Sequence, residues 1–279
     1  MGGGSHYSEI HGARLRYEIA GDGPPVVFLH AGIADSRMWD DQFGAFSERH
    51  RVLRYDMRGF GQSSFPADSF SLADDLLDLL DYVGIDAAAL VGASMGANVA
   101  LELAVIAPGR VRALVLAPPG NLRGERSEEL RRVDEAEEAA VARGDLDEAV
   151  RLNLDLWVAG PRRSIEEVDG EVVRRVGEMQ RRAFAVQVPA FEQDPPPTHQ
   201  RRLEGRLAGY LREIQAPTLV IVGVEDVRDI LDAADELEGA VPGARKVALP
   251  ASAHLPNMER PAEFNELVIG FLADALERV

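Results

Sequence analysis

Short apolar runs alternate with longer stretches of helical period along most of this chain. Residues 13–21, ARLRYEIAG, alternate with period two and run into the Gly21-Asp22-Gly23 turn, which predicts a strand. PVVFLH (25–30), RVLRYD (51–56), AAALVG (87–92) and VRALVLA (111–117) are short apolar runs and read as further, mostly buried strands. Between them, residues 71–83 place Leu72, Leu76, Leu79, Leu80 and Val83 on one helical face, with Ser71 as cap and Asp74 three residues on. Residues 95–107 predict a second helix, ended by Pro108-Gly109. Strands alternating with helices imply parallel βαβ units, hence an α/β fold with a mostly parallel central sheet flanked by helices.

The alternation stops after the sixth strand. From Asn121 to about Arg206 the chain is rich in Arg and Glu with helical spacing and no convincing strand, interrupted by QDPPPT (193–198). A structureless loop of about 85 residues is improbable, so this segment reads as a helical insertion. The pattern resumes with PTLVIVG (217–223), a helix near 229–238, ARKVALP (244–250) and a closing helix opened by Pro261, with Leu267, Phe271 and Leu272 on one face. The expected organisation is a first core part at 7–120, a helical cap at 121–206 and a second core part at 207–279. MGGGSH (1–6) reads as a tag or linker scar.

Composition narrows the partners. A net charge of −17 disfavours nucleic acid and anionic membranes. The absence of cysteine excludes disulfides, thiolate metal sites and a cysteine nucleophile. Lys246 is the only lysine, an arginine bias read as genomic. The longest charge-free apolar run, 87–101, falls short of the roughly 20 residues of a membrane span and contains two turn glycines. With no signal-peptide pattern, a cytoplasmic location is expected.

Candidate chemistry begins in LVGASMGANVA (90–100), where Ser94 stands between Gly92 and Gly96 at the strand-to-helix boundary. A turn that sharp forces its apex residue into strained geometry and needs small neighbours where the two backbones pass. It holds the hydroxyl above the sheet, with the next amide at a helix N-terminus. A serine needs a base, and the base an orienting acid. Of six histidines, His6 lies in the presumed scar, His11 near the first strand, His30 at an early strand end, and His50 and His199 in loops. His254 follows the last strand, where open parallel sheets carry their sites, and is the expected base. For the acid, Asp226, Asp229 and Glu225 all follow a strand end; the short loop after Gly223 favours Asp226. An oxyanion would be held by the Met95 amide and a second one in HAGIAD (30–35), from Gly32 or Ala31.

Together VVFLHAG, RYDMRGFGQS, LVGASMGANVALELA, PTLVIVGVED and SAHLPNMERPAEF resemble, in that order, the α/β-hydrolase fold family in its esterase, lactonase and C–C hydrolase branch. The resemblance implies a Ser94–Asp226–His254 triad, a structural role for DMRGFGQS with none in catalysis for Arg58, and a cap domain over the site. Ser94 stands where dehalogenases and epoxide hydrolases of this fold carry aspartate. The expected activity is cofactor-free hydrolysis of small carboxylic esters or lactones through an acyl-enzyme. The alternatives are C–C hydrolysis of a dienone or β-diketone, and a non-catalytic ligand-binding member of the fold. Ile33, Met95 and Leu255 flank the triad as pocket candidates; Trp157, Phe184 and Phe191 are candidates to line it from above.

Overall fold

The computed structural model describes residues 5–277 except 67, 125, 201, 202, 204 and 205. Residues 1–4 of the presumed scar, and several positions at the end of the expected cap, therefore lie outside the described residues. Eight strands form the main sheet: β1 (His6–Ile10), β2 (Ala13–Ala20), β3 (Pro25–Leu29), β4 (Arg51–Tyr55), β5 (Ala88–Ser94), β6 (Val111–Pro119), β7 (Thr218–Gly223) and β8 (Arg245–Leu249). Their spatial order is β1-β2-β4-β3-β5-β6-β7-β8. The β1–β2 and β2–β4 pairings are antiparallel, and every pairing from β4 to β8 is parallel. β1 starts at His6, inside the stretch read as a scar, and His6 pairs with Tyr17.

In the central strands β3, β5, β6 and β7 both alternating sets of side chains are apolar, so both faces of the sheet are buried there. From β3, Val27 and Leu29 face one side and Val26 and Phe28 the other. The first side packs on α2 (Leu72–Tyr82), α3 (Met95–Ile106) and α7 (Arg228–Ala240); the second packs on α1 (Asp40–Ser47) and α9 (Pro261–Leu276). The Ser71 hydroxyl accepts from the Asp74 amide at the start of α2, as its spacing predicts.

Between β6 and β7 lie α4 (Glu128–Ala142), α5 (Leu146–Asn153), a wider π-type coil over Leu154–Ala159, and α6 (Gly170–Phe191). Ala140, Ala149, Val150 and Phe184 form their own small core. One short strand pairing does occur in this stretch: Thr198–His199 pairs in parallel with Ser69–Phe70. Among the described residues, no helix is long and apolar enough to cross a membrane.

Candidate active site

Ser94 ends β5 and immediately precedes α3, with φ at 52° and ψ at −109°. A positive φ is costly for a residue with a Cβ and persists only where its surroundings impose it. Those surroundings are backbone. A Cβ on Gly92 would meet the Gly96 carbonyl oxygen at 2.5 Å, and one on Gly96 would meet the Leu29 carbonyl oxygen at 2.3 Å. Strand and helix thus close on each other at two positions that only glycine permits.

His254 stands in the loop after β8, and its Nδ1 lies 2.8 Å from Oδ2 of Asp226. Both side chains are buried, at 2% and 0% exposure. The other Asp226 oxygen, Oδ1, accepts from the Val227 amide at 2.8 Å. With Nδ1 donating to the carboxylate, Nε2 is the free acceptor of the ring. Ser94 and His254 line one cavity of about 620 Å³ together with Gly32, Ile33, Met95 and Trp157. That volume suits a small organic molecule.

The competing acids are engaged elsewhere. Glu225 pairs with Arg162 at 2.9 Å, and Asp229 accepts from the Ser127 amide at 2.9 Å while lining the cavity. The two candidates for the second oxyanion amide, Gly32 and Ala31, differ in their surroundings. The Ala31 amide points at the Met38 sulfur at 3.3 Å, whereas Gly32 lines the cavity beside Met95. His30 holds this loop from below. Its Nε2 accepts from the Met57 amide at 2.9 Å, so its Nδ1 is the donor to the Ala31 carbonyl at 2.8 Å. Burial lowers the His30 pKa, consistent with a neutral structural ring.

Among the pocket candidates, Ile33, Met95 and Trp157 line the cavity, and the Trp157 ring lies 4.4 Å from the His254 ring. Leu255 does not. It is fully buried in the core with Met258 and Phe264, and its carbonyl accepts from the Met258 and Glu259 amides of α8 (Pro256–Glu259). Phe184 is part of the core formed by α4–α6, and Phe191 is 55% exposed against Phe65. Neither is a described lining residue of this cavity.

Sequence reasoning did not find the polar wall. Asn98, Asn121, Arg126, Asp134, Glu137, Glu138 and Asn153 also line the cavity. Burial raises the pKa of Glu137, which accepts from Asn153 at 2.9 Å. The signal was present only as a charge-rich helix, and a solvated face reads the same. Among the described residues, no three His, Asp or Glu side chains converge as a metal-binding group.

A family model for the alpha/beta hydrolase fold matches residues 24–261. A protein of Azorhizobium caulinodans named for carbamate hydrolysis is 29% identical over 96% of this chain and 98% of its own. Among solved structures, a hydrolase from Pseudomonas aeruginosa is 30% identical with a TM-score of 0.79, covering 96% of this chain and 98% of its own. The enol-lactonase from Burkholderia xenovorans is 26% identical with a TM-score of 0.78, covering 96% and 100%. With the model spanning most of the sheet and all three elements that carry Ser94, Asp226 and His254, the chain belongs to the alpha/beta hydrolase fold family.

Proposed function

We propose that this protein is a serine hydrolase of small carboxylic esters or lactones. Ser94 Oγ attacks the carbonyl carbon while His254 Nε2 takes its proton. The amides of Met95 and Gly32 donate to the oxyanion, each worth on the order of 3 kcal/mol of barrier. The C–O bond then breaks, and His254 returns the proton to the leaving oxygen. In a lactone that oxygen stays tethered to the acyl group. Water enters, gives a proton to His254 and attacks the acyl carbon; the bond to Ser94 Oγ then breaks, His254 returns the proton to Oγ, and the acid leaves. Asp226 orients the imidazole and stabilises its cation. The helical segment 121–206 acts as the cap that encloses substrate.

One observation carries the reading: a serine held at positive φ beside a cavity that it shares with a histidine backed by a buried carboxylate. The lactonase among the structural relatives supports a lactone as substrate, and the relative named for carbamate hydrolysis makes a carbamate the informative third carbonyl. The test is a panel of p-nitrophenyl esters, lactones and an aryl carbamate, run with wild type and Ser94→Ala. Ser94→Ala is expected to lose roughly 10⁴-fold or more in kcat while keeping the native circular dichroism. A folded Ser94→Ala that turns over the same substrate at the wild-type rate overturns the assignment.

A further inference from the structure

The segment that leaves the π-type coil, residues 157–163, is laced to both loops that supply the charged members of the site. The His254 amide donates to the Trp157 carbonyl at 3.2 Å. Arg162 pairs with Glu225 and donates to the Val224 carbonyl, one and two residues before Asp226. Gly160, at φ 76°, passes so near this loop that a Cβ there would meet the Glu225 carbonyl oxygen at 2.2 Å. Arg163 is the hub. Its Nε donates to the Ala159 carbonyl at 2.9 Å, its Nη2 to the Val158 carbonyl at 2.9 Å, and its Nη1 to the Ala251 carbonyl at 3.4 Å. The same Nη2 meets Glu259 Oε2 at 2.9 Å, with the two side chains 13% and 5% exposed. Glu259 Oε1 in turn accepts from the Ala253 amide at 2.7 Å, the residue before the histidine.

A guanidinium with fixed donors suits such a hub, because its planar fork loses little entropy per hydrogen bond made. Taking two charges out of water is costly unless both are paired and their remaining hydrogen bonds are made. Here Glu259 spends one oxygen on Arg163 and the other on the backbone of the histidine loop. Arg163 spends its other donors on the coil whose tryptophan touches the imidazole.

We propose that Arg163 and Glu259 are positioning residues for the reaction, a brace that fixes the His254 imidazole over the site through the Ala253 amide and the Val158–Ala159 coil. The brace ties the placement of the covering helices to the geometry of the base. It rests on the reading of His254 as that base. Neither side chain lines the cavity, so neither touches substrate.

The experiment compares Glu259→Gln, which keeps an acceptor of the same shape for Ala253, with Arg163→Met and the double variant. Each is assayed for kcat and KM on the best ester of the panel. Each is also examined by proton NMR for the low-field Nδ1–H resonance of His254 in its hydrogen bond to Asp226, assigned through its loss in His254→Ala. Both single variants are expected to lose about 10- to 100-fold in kcat, as small misplacements of a catalytic group do, with KM within twofold. The resonance is expected to shift or broaden in both, and the double variant to lose no more than the worse single one. Arg163→Lys, able to reach fewer of these acceptors at once, is expected to fall between, and it carries the test should Arg163→Met not fold. Folded variants with wild-type kcat and an unmoved resonance overturn the brace. If the wild type turns over nothing in the panel, the proposed function falls on its own, and the resonance alone decides whether Arg163 and Glu259 hold the imidazole.

Discussion

At Gly96 a Cβ would lie 2.3 Å from the Leu29 carbonyl oxygen and 2.8 Å from that of His30. Both are backbone atoms, of the end of β3 and the start of the Gly32 loop, so no side chain can swing aside to make room. Gly96→Ala must push α3 off β3, and overpacking of this kind costs about 1–3 kcal/mol, occasionally more. The expected result is a lower urea midpoint with an unchanged slope, the slope times the midpoint shift giving that loss of unfolding free energy, together with weaker turnover, since Ser94 and Met95 move with the helix. An unchanged midpoint would mean that the elbow has slack. Such local sterics are why Ser94 was legible in the sequence: two glycines flanking a serine describe one turn almost completely. His254 and Asp226 were legible as the polar residues of short loops after strands. Leu255 was not, because its direction depends on α8, four residues long and without a recognisable pattern. Asn98 and Glu137 were not either; which helix faces the cavity is decided by packing far along the chain.

Elements, in turn, depend on contacts that the alternation of strands and helices does not encode. The turn after β4 contains Arg58, whose Nη2 and Nε meet the two Asp75 oxygens of α2 at 2.7 and 2.9 Å, with both side chains almost fully buried. Asp56 of the same turn accepts from the Ser36 and Gln62 amides at 2.9 and 2.8 Å. DMRGFGQS thus pins α2 and the segment after the Gly32 loop to the sheet, a structural task in line with the absence of Arg58 from the cavity lining. Removing one member of a buried pair strands the other charge and costs about 3–5 kcal/mol. Asp75→Asn is expected to lower the unfolding free energy by that order, read by urea titration, while kcat per folded molecule stays within about threefold. Loss of kcat without loss of stability would instead place this pair in catalysis. Strands β3 to β7 were readable because each carries consecutive buried apolar residues. β1 and α1 were not: HYSEI is short, and DDQFGAFS carries a central glycine and two aromatics too few to define a face. The helices between β6 and β7 were readable as helical from composition, whereas their order around the cavity rests on small clusters such as Ala140, Ala149, Val150 and Phe184.

Over the whole molecule the net charge of −17 gives a negative field, and the cavity shares its sign. Asp134, Glu137, Glu138 and Asp229 line it; among the described residues the one arginine or lysine that lines it is Arg126, already paired with Asp134. A like-charged substrate must approach against that field and then lose water beside those carboxylates, so the wall is expected to disfavour an anionic ester before chemistry begins. Two p-nitrophenyl esters of equal length, one ending in a methyl group and one in a carboxylate, separate this effect from size. At low salt the anionic ester is expected to show the lower kcat/KM, mostly through KM. The gap should narrow as the screening length falls from roughly 30 Å at 0.01 M to roughly 3 Å at 1 M ionic strength. Burial raises the Glu137 pKa, so its charge is lost at a higher pH than an ordinary glutamate's and the gap should shrink on acidification too. The double variant Glu137→Gln/Glu138→Gln is expected to narrow the gap at low salt to about what 1 M salt achieves in the wild type. A gap indifferent to both salt and the double variant would mean that shape, not charge, sets the preference.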